Sequence, residues 1–453
     1  MSSFLDRAHT IAPPGYNRFL VPPAALAVHL SIGQAYAFST FNLPLTKLIG
    51  ITKSAPDDWT LKQVVLIFSI AIVCLGLSAA FFGRWVEQVG PRKAMFTAAL
   101  CFSGGFLVSA VGIYAHQLWL VYLGYGVLGG CGLGIGYISP VSTLIKWFPD
   151  RPGMATGMAI MGFGGGALIG APLSTYLMGS FATATSNGVL ETFVTMGVLY
   201  FCFMMIGVYA ARVPEAGWKP EGWTPPVVAS KMITTANVHV DVAYKTPQFV
   251  LLWIVLCMNV TAGIGVLSQA SPMIQEMFGS RVTPIAAGGF VGLLSIFNML
   301  GRFFWASMSD YLGRRTTYMV FFLLGIVLYA TVPTTGQMGS IPLFIAACAV
   351  ILSMYGGGFA TIPAYLRDMF GTMHVGAIHG RLLTAWSAAG VLGPVLLTYI
   401  REDQIAAGVP KAEAYSLTMY IMCGLLLVGF LANLAMRAVS ERHHYREAVS
   451  AHS

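Results

Sequence analysis

Arg302 stands inside an apolar run, 285–307, that contains no acidic residue. It lies eight residues before Asp310, about 12 Å along a helix that rises 1.5 Å per residue. A charge near the middle of a bilayer costs at least about 2.5–3.5 kcal/mol on insertion scales, so it should face protein rather than lipid. Gly288, Gly292, Ser295, Asn298 and Arg302 recur at i+3 or i+4 and form one small, polar stripe on a helix. No Asp or Glu falls deep in an apolar run. A guanidinium without an intramembrane counter-ion suits an external anion, and its planar fork matches a carboxylate through two parallel hydrogen bonds. The alternative is an arginine that snorkels to the interface or bonds main-chain carbonyls.

Other groups are spaced to join it. Tyr36 shares a face with His29, Gly33 and Thr40; Tyr137 shares one with Gly130 and Gly134. Their hydroxyls can donate to a carboxylate and shape a small pocket, or the rings can be ordinary core. His29 reads as the one other ionisable group deep in a span: a proton relay or a satisfied core histidine. Enzyme chemistry lacks its parts. There is no HExxH, no GxSxG and no close His/Asp set. The seven cysteines have no metal-ligand spacing and read as packing residues. The glycines of 157–170 are followed by no Lys-Ser/Thr, so they read as a helix-packing surface rather than a phosphate loop, as do Gly390, Gly393 and Pro394. Neither a cofactor nor a metal is expected.

These residues are positioned by elements made for lipid. Of 453 residues, 56% are hydrophobic and 9% charged, against about 25% charged in soluble domains. Twelve apolar runs are long enough to cross a bilayer: 19–45, 62–82, 94–114, 118–145, 153–178, 191–211, 247–272, 285–307, 316–334, 341–366, 378–400 and 413–436. Main-chain groups in lipid must bond internally, so the runs are helices and the fold class is an all-α membrane protein. With the N-terminus inside, eighteen Lys and Arg fall at inner ends and loops and six at outer ones. That asymmetry puts both termini in the cytoplasm. It also accounts for the net charge of +8 without a nucleic-acid partner.

The chain repeats itself at one offset of 223 residues. Glu87 matches Asp310, Gly90 Gly313, Arg92 Arg315, Pro140 Pro363, Gly153 Gly376, Gly157 Gly380 and Gly170 Gly393. The expected organisation is a six-helix bundle over 1–212, a connector over 213–246 rich in proline (Pro214, Pro220, Pro225, Pro226), a second bundle over 247–437 and a tail over 438–453. Parallel six-helix repeats are a transporter architecture.

The loops Gly83-Arg84-Trp85-Val86-Glu87-Gln88-Val89-Gly90-Pro91-Arg92-Lys93 and Ser309-Asp310-Tyr311-Leu312-Gly313-Arg314-Arg315 resemble the cytoplasmic loop motif of the major facilitator superfamily. An acid near one helix end can pair with arginines near another, so Glu87, Arg92, Asp310, Arg314 and Arg315 are the expected conformational latch. Other segments resemble the oxalate:formate antiporter family, relatives of the monocarboxylate transporters. They are Gly33-Gln34-Ala35-Tyr36 with Pro44, Trp147-Phe148-Pro149-Asp150-Arg151 with Gly153, Thr246-Pro247-Gln248-Phe249, Gly301-Arg302-Phe303-Phe304-Trp305, and Asp368-Met369-Phe370-Gly371. The resemblance covers nearly the whole chain. It implies that Arg302 binds an anion and that Tyr36, Tyr137, Tyr355 and Phe359 occupy cavity positions. Where the oxalate carriers hold a lysine, the matching residue is Trp386, on a face with Gly390 and Gly393. One cation and a bulky indole favour a monoanion such as formate, lactate or pyruvate. Proton-coupled monocarboxylate carriers place an acid where this chain has Asn298. The expectation is therefore a secondary transporter of short monocarboxylates by exchange or proton symport, monomeric, in a bacterial inner membrane. Oxalate/formate exchange, or a drug or sugar carrier on the same fold, is the alternative.

Overall fold

The computed structural model describes residues 4–224, 233–234 and 236–445. Expectations that fall on Pro225, Pro226, Lys231, Arg446 and the end of the tail lie outside the described residues. Among the described residues, twelve helices are long and apolar enough to cross a membrane. They are α1 (Val21–Ile32, continued by a tight 3-10 turn Gly33–Ala37 and a short helix Ser39–Leu45), α2 (Leu61–Val89), α3 (Pro91–Tyr114), α4 (Leu118–Trp147), α5 (Pro152–Phe181), α6 (Val189–Ala210), α7 (Pro247–Phe278), α8 (Pro284–Leu312), α9 (Arg314–Gln337), α10 (Ile341–Phe370), α11 (Val375–Ala406) and α12 (Ser416–Leu434).

Most run past the apolar windows, because a helix need not stop where hydrocarbon does. Local signals set the ends. Thr60 and Gln63 close a capping box on α2. Thr246 and Thr283 accept from the third main-chain N–H of α7 and α8, each followed by Pro at the first position. Gly90 (φ 85°) and Gly313 (φ 82°) make the tight turns after α2 and α8, a left-handed conformation only glycine adopts cheaply. The longer α7 and α11 absorb Glu276 and Arg401, which were expected in loops. There they pair with each other and with the Tyr415 hydroxyl.

The repeat is present in the backbone. Adding 223 to the bounds of α2, α3 and α4 gives the bounds of α8, α9 and α10. The helices form two six-helix bundles that meet along two seams, α5 against α8 and α2 against α11. Hydrogen bonds cross both. Gly153 and Met154 of α5 donate to the Asp310 carboxylate of α8, both at 2.8 Å, and Ser387 of α11 donates to the Ile72 carbonyl of α2 at 3.0 Å. At the termini-bearing end the seams are shut. Above Arg302, toward the other end, a Cβ on Gly288 or Gly292 would meet nothing within 4 Å.

Candidate functional site

The site forms where α1, α4 and α5 of the first bundle face α8, α10 and α11 of the second. Arg302 is fully buried on α8. Its Nε donates to Asn298 Oδ1, one turn earlier, at 3.1 Å, and its Nη1 to the Ile160 carbonyl of α5 at 3.5 Å. Nη2 has no partner. Among the described residues no carboxylate pairs with Arg302. The glycine face of α5 makes this approach possible: a Cβ on Gly164 would sit 3.0 Å from Arg302 Nε. Gly33 and Gly166 do the same for α1 and α5, whose main chains touch where any Cβ would collide. That contact brings Tyr36, in the 3-10 turn, onto Phe163 at 4.9 Å between ring centres.

The rings close around Trp386. Its indole lies 5.3 Å from Tyr137, 5.3 Å from Phe163, 6.2 Å from Tyr36 and 4.5 Å from Phe359. The guanidinium of Arg302 stands 5.3 Å over Phe359 and 5.8 Å over Phe163. Tyr36 and Tyr355 share a hydroxyl–hydroxyl hydrogen bond of 3.2 Å across the two bundles. The hydroxyl of Tyr137, which lies beside the Arg302 guanidinium, and the indole Nε1 of Trp386 are buried with no well-aligned hydrogen bond among the described residues. Each such donor costs about 1–3 kcal/mol when left unmet. Three of them, with Arg302 Nη2, belong to residues gathered at one aromatic cage, and an oxygen-rich anion is what would meet them.

The structure thus brings Arg302, Asn298, Tyr36, Tyr137, Tyr355, Phe359 and Trp386 together. His29 is set back: it stacks on Tyr137 at 5.3 Å, and its Nδ1 and Nε2 face the carbonyls of Ala159 (2.6 Å) and Tyr137 (3.1 Å). Two residues escaped sequence reasoning. Phe163 was legible: it is the repeat partner of Trp386 at the 223 offset. His379 stands second in the apolar run 378–400 and was not singled out; α11 begins at Val375, so His379 is buried a turn inside it. His29 is therefore not the only ionisable group, besides Arg302, buried deep in the bundle.

The loop residues at the termini-bearing end divide into two devices rather than one latch. Glu87 of α2 accepts from the Gly376 N–H, at the start of α11, at 3.1 Å, and pairs with Lys146 at 2.7 Å. Asp310 of α8 accepts from the Gly153 and Met154 N–H groups, at the start of α5, both at 2.8 Å. Each acid meets the positive end of a helix in the other bundle. Arg314 bonds Asp310 (2.6 Å) and Asp368 (3.1 Å). Arg92 and Arg315, expected to pair with acids, do not. Arg92 donates to the carbonyls of Val208, Tyr209 and Ala211, and Arg315 to those of Asn433 and Leu434. They staple the ends of α6 and α12, whose last carbonyls have no helical partner. The Trp-Phe-Pro-Asp turn anchors the N-terminal segment: Asp150 takes Arg18 bidentately at 2.6 and 2.9 Å, and Trp147 Nε1 donates to the Arg212 carbonyl. A basin of 1080 Å³ lies at this end, between the bundles and beneath the connector, lined by Glu87, Lys146, Asp310, Arg314 and Trp218. Glu87, Lys146, Asp310 and Arg314 there are already paired, whereas donors of the central cage are not.

The family model of the Major Facilitator Superfamily matches residues 17–394 and 295–452. The chain is 26% identical over 385 residues to the oxalate:formate antiporter of Oxalobacter formigenes, covering 84% of each chain. It is 25% identical over 401 residues to apicoplast pyruvate carrier 1 of Toxoplasma gondii, covering 76% of this chain and 71% of that one. Its fold is similar to that of the fucose:proton symporter of E. coli, with a TM-score of 0.64 at 12% identity over 92% of this chain and 99% of that one.

Proposed function

The chain belongs to the Major Facilitator Superfamily, a family of transporters rather than enzymes, and we propose that it carries short monocarboxylates such as formate, lactate or pyruvate by alternating access. The observation that carries this reading is the fully buried Arg302 with Nη2 unpartnered and no carboxylate beside it. A substrate carboxylate accepts from Arg302, and the Tyr137 hydroxyl and Trp386 indole N–H complete its oxygens' bonds. The cage holds one permanent cation and is otherwise walled by rings, which suits one negative charge and a small apolar remainder. The similarity to an oxalate:formate antiporter and to a pyruvate carrier supports a small carboxylate as the substrate.

The Lys and Arg asymmetry supports the termini-bearing end as the cytoplasmic one, and the similarity to a bacterial oxalate:formate antiporter supports a bacterial inner membrane. The helix-start bonds of Glu87 and Asp310 then hold the cytoplasmic seams shut while the site is reached from the other side. Breaking them lets the bundles rock and the anion leave inward. A carboxylate on Arg302 removes the unpaired buried charge that would otherwise resist this motion.

The test is counterflow in proteoliposomes loaded with formate, lactate, pyruvate or oxalate and offered the labelled acid. Accumulation that depends on an internal monocarboxylate supports the reading. Exchange of oxalate alone overturns the single-charge site, and no flux of any acid points to a drug or sugar carrier.

A further inference from the structure

His379 is the buried ionisable group that the anion site leaves over. It is 1% exposed, on the first turns of α11, where that helix packs along α2 of the other bundle. Among the described residues neither ring nitrogen has a hydrogen-bond partner. The centre of the Tyr137 ring stands 5.8 Å away, and its hydroxyl, beside Arg302, makes no well-aligned hydrogen bond among the described residues. Behind Tyr137, both nitrogens of His29 face carbonyls of its own bundle. His29 is fixed there, whereas His379 sits on the seam with both nitrogens free.

We propose, resting on the reading of the cage as a monocarboxylate site, that His379 binds the proton of a proton-coupled cycle. The seam between α2 and α11 must part for the cage to open toward the termini-bearing end, and parting wets His379. Imidazole is the side chain that exchanges a proton with water near neutral pH. Protonated, His379 donates toward the Tyr137 oxygen and leaves that hydroxyl's own hydrogen for the carboxylate on Arg302. Bound proton and bound anion therefore favour each other, and the coupling is reciprocal. The proton comes from water on one side and returns to water on the other. One carboxylate and one proton cross together, without net charge.

The other charged groups on the elements around His379 are engaged elsewhere. On α2, Glu87 pairs with Lys146 of α4, and Arg84 pairs with Asp241 of the connector, which also takes Arg381 of α11. On α10, Arg367 and Asp368 pair with each other, Tyr355 bonds Tyr36 and Tyr365 bonds Asn433. On α7, Glu276 pairs with Arg401. Tyr137, with His29 behind it, is left facing the ring.

Proteoliposomes with a trapped pH dye and labelled lactate test this, with protein-free vesicles subtracting passive lactic acid. The wild type should acidify the lumen as lactate enters and accumulate lactate under an inward proton gradient. His379→Gln should slow lactate exchange by less than about threefold yet lower lactate-driven proton entry at least about tenfold, an ordinary size for coupling between two bound ligands. Proton entry by His379→Gln at the wild-type rate overturns the proposal. Net lactate entry by the wild type without proton entry, or exchange with no net entry under an inward proton gradient, also overturns it and leaves the proposed function standing; no exchange of lactate, formate or pyruvate overturns both. A second measurement needs no transport. In weakly buffered detergent solution, lactate should draw up to about one proton onto the wild type and none onto His379→Asn. Equal uptake by both overturns the assignment even if the Gln variant fails to fold.

Discussion

The termini-bearing end and the central cage obey the repeat differently. At the end, the two bundles do the same thing twice. Glu87 meets the first turn of α11 through Gly376, and Asp310 meets the first turn of α5 through Gly153; each acid and each glycine is its counterpart's number plus 223. Arg92 and Arg315 staple α6 and α12 in the same way. In the cage the symmetry is broken. The repeat partner of Arg302 is Ala79, that of Tyr137 is Ala360, and that of Tyr36 is Asn259. Only Phe163 and Trp386 remain a like pair. A rocking motion needs matched surfaces on both halves, whereas a small anion needs one cation on one side and rings on the other.

The largest test of that contrast is Arg302→Ala. It should cut labelled monocarboxylate exchange about 100-fold, the scale of a lost charge-assisted hydrogen bond, with an unchanged elution profile and helix content. Retained exchange would move the anion site elsewhere. Trp386→Lys should be next. A second cation opposite Arg302 should raise the ratio of oxalate to formate exchange about tenfold, while Trp386→Phe should not. An unchanged ratio for the Lys variant would mean that α11 does not set the charge of the substrate.

The two acid-to-helix-start contacts, proposed as latches, are repeat-related but not equally built. Asp310 takes two N–H groups and Arg314, with its side chain 9% exposed and the arginine's 7%; Glu87 takes one N–H group and Lys146, which is 30% exposed. Asp310→Asn should therefore open the termini-bearing end by about 1.5–3 kcal/mol and Glu87→Gln by less, read as spin-label distance distributions across the seam. Equal shifts would show that the two bundles close with equal strength. The smallest effect belongs to Asp241, half-exposed in the connector between Arg84 and Arg381. The hydrogen bond from Arg381 holds its carboxyl below the ordinary carboxylate range, against a smaller opposing push from burial. A carboxyl lowered by folding contributes stability above its unfolded value and loses it as pH falls through the folded one. Asp241→Asn should thus lower Tm at neutral pH by no more than about 2 °C, as expected of an exposed pair, and the difference from wild type should vanish in acid.

Much of the architecture was legible. Hydropathy placed twelve spans, and the 223 offset anticipated matched helices, because lipid imposes length and apolarity on each helix independently of its neighbours. Arg302 stood out for the same reason: an unpaired charge in hydrocarbon is costly wherever it points. The latch was half legible. Acid, glycine and arginine were visible, but which acid met which helix start was not, because those bonds join residues more than 150 positions apart to main-chain N–H groups. His379 was missed because an apolar window dates a helix from its first hydrophobic run, whereas α11 starts earlier under the capping bond of Glu87.

The sequence by itself determined that this chain lives in a bilayer, folds as two repeated bundles, and carries Arg302 inside a span that holds no acid. These follow from composition and period, which act locally along each helix. Only the tertiary structure decided that Tyr36, Tyr137, Phe163, Phe359 and Trp386 enclose one cage, and that His29 is bonded to carbonyls while His379 is left with free nitrogens. Those outcomes depend on how closely α1, α5 and α8 approach and on where the two bundles meet, distances that arise when helices pack and that no single helix encodes.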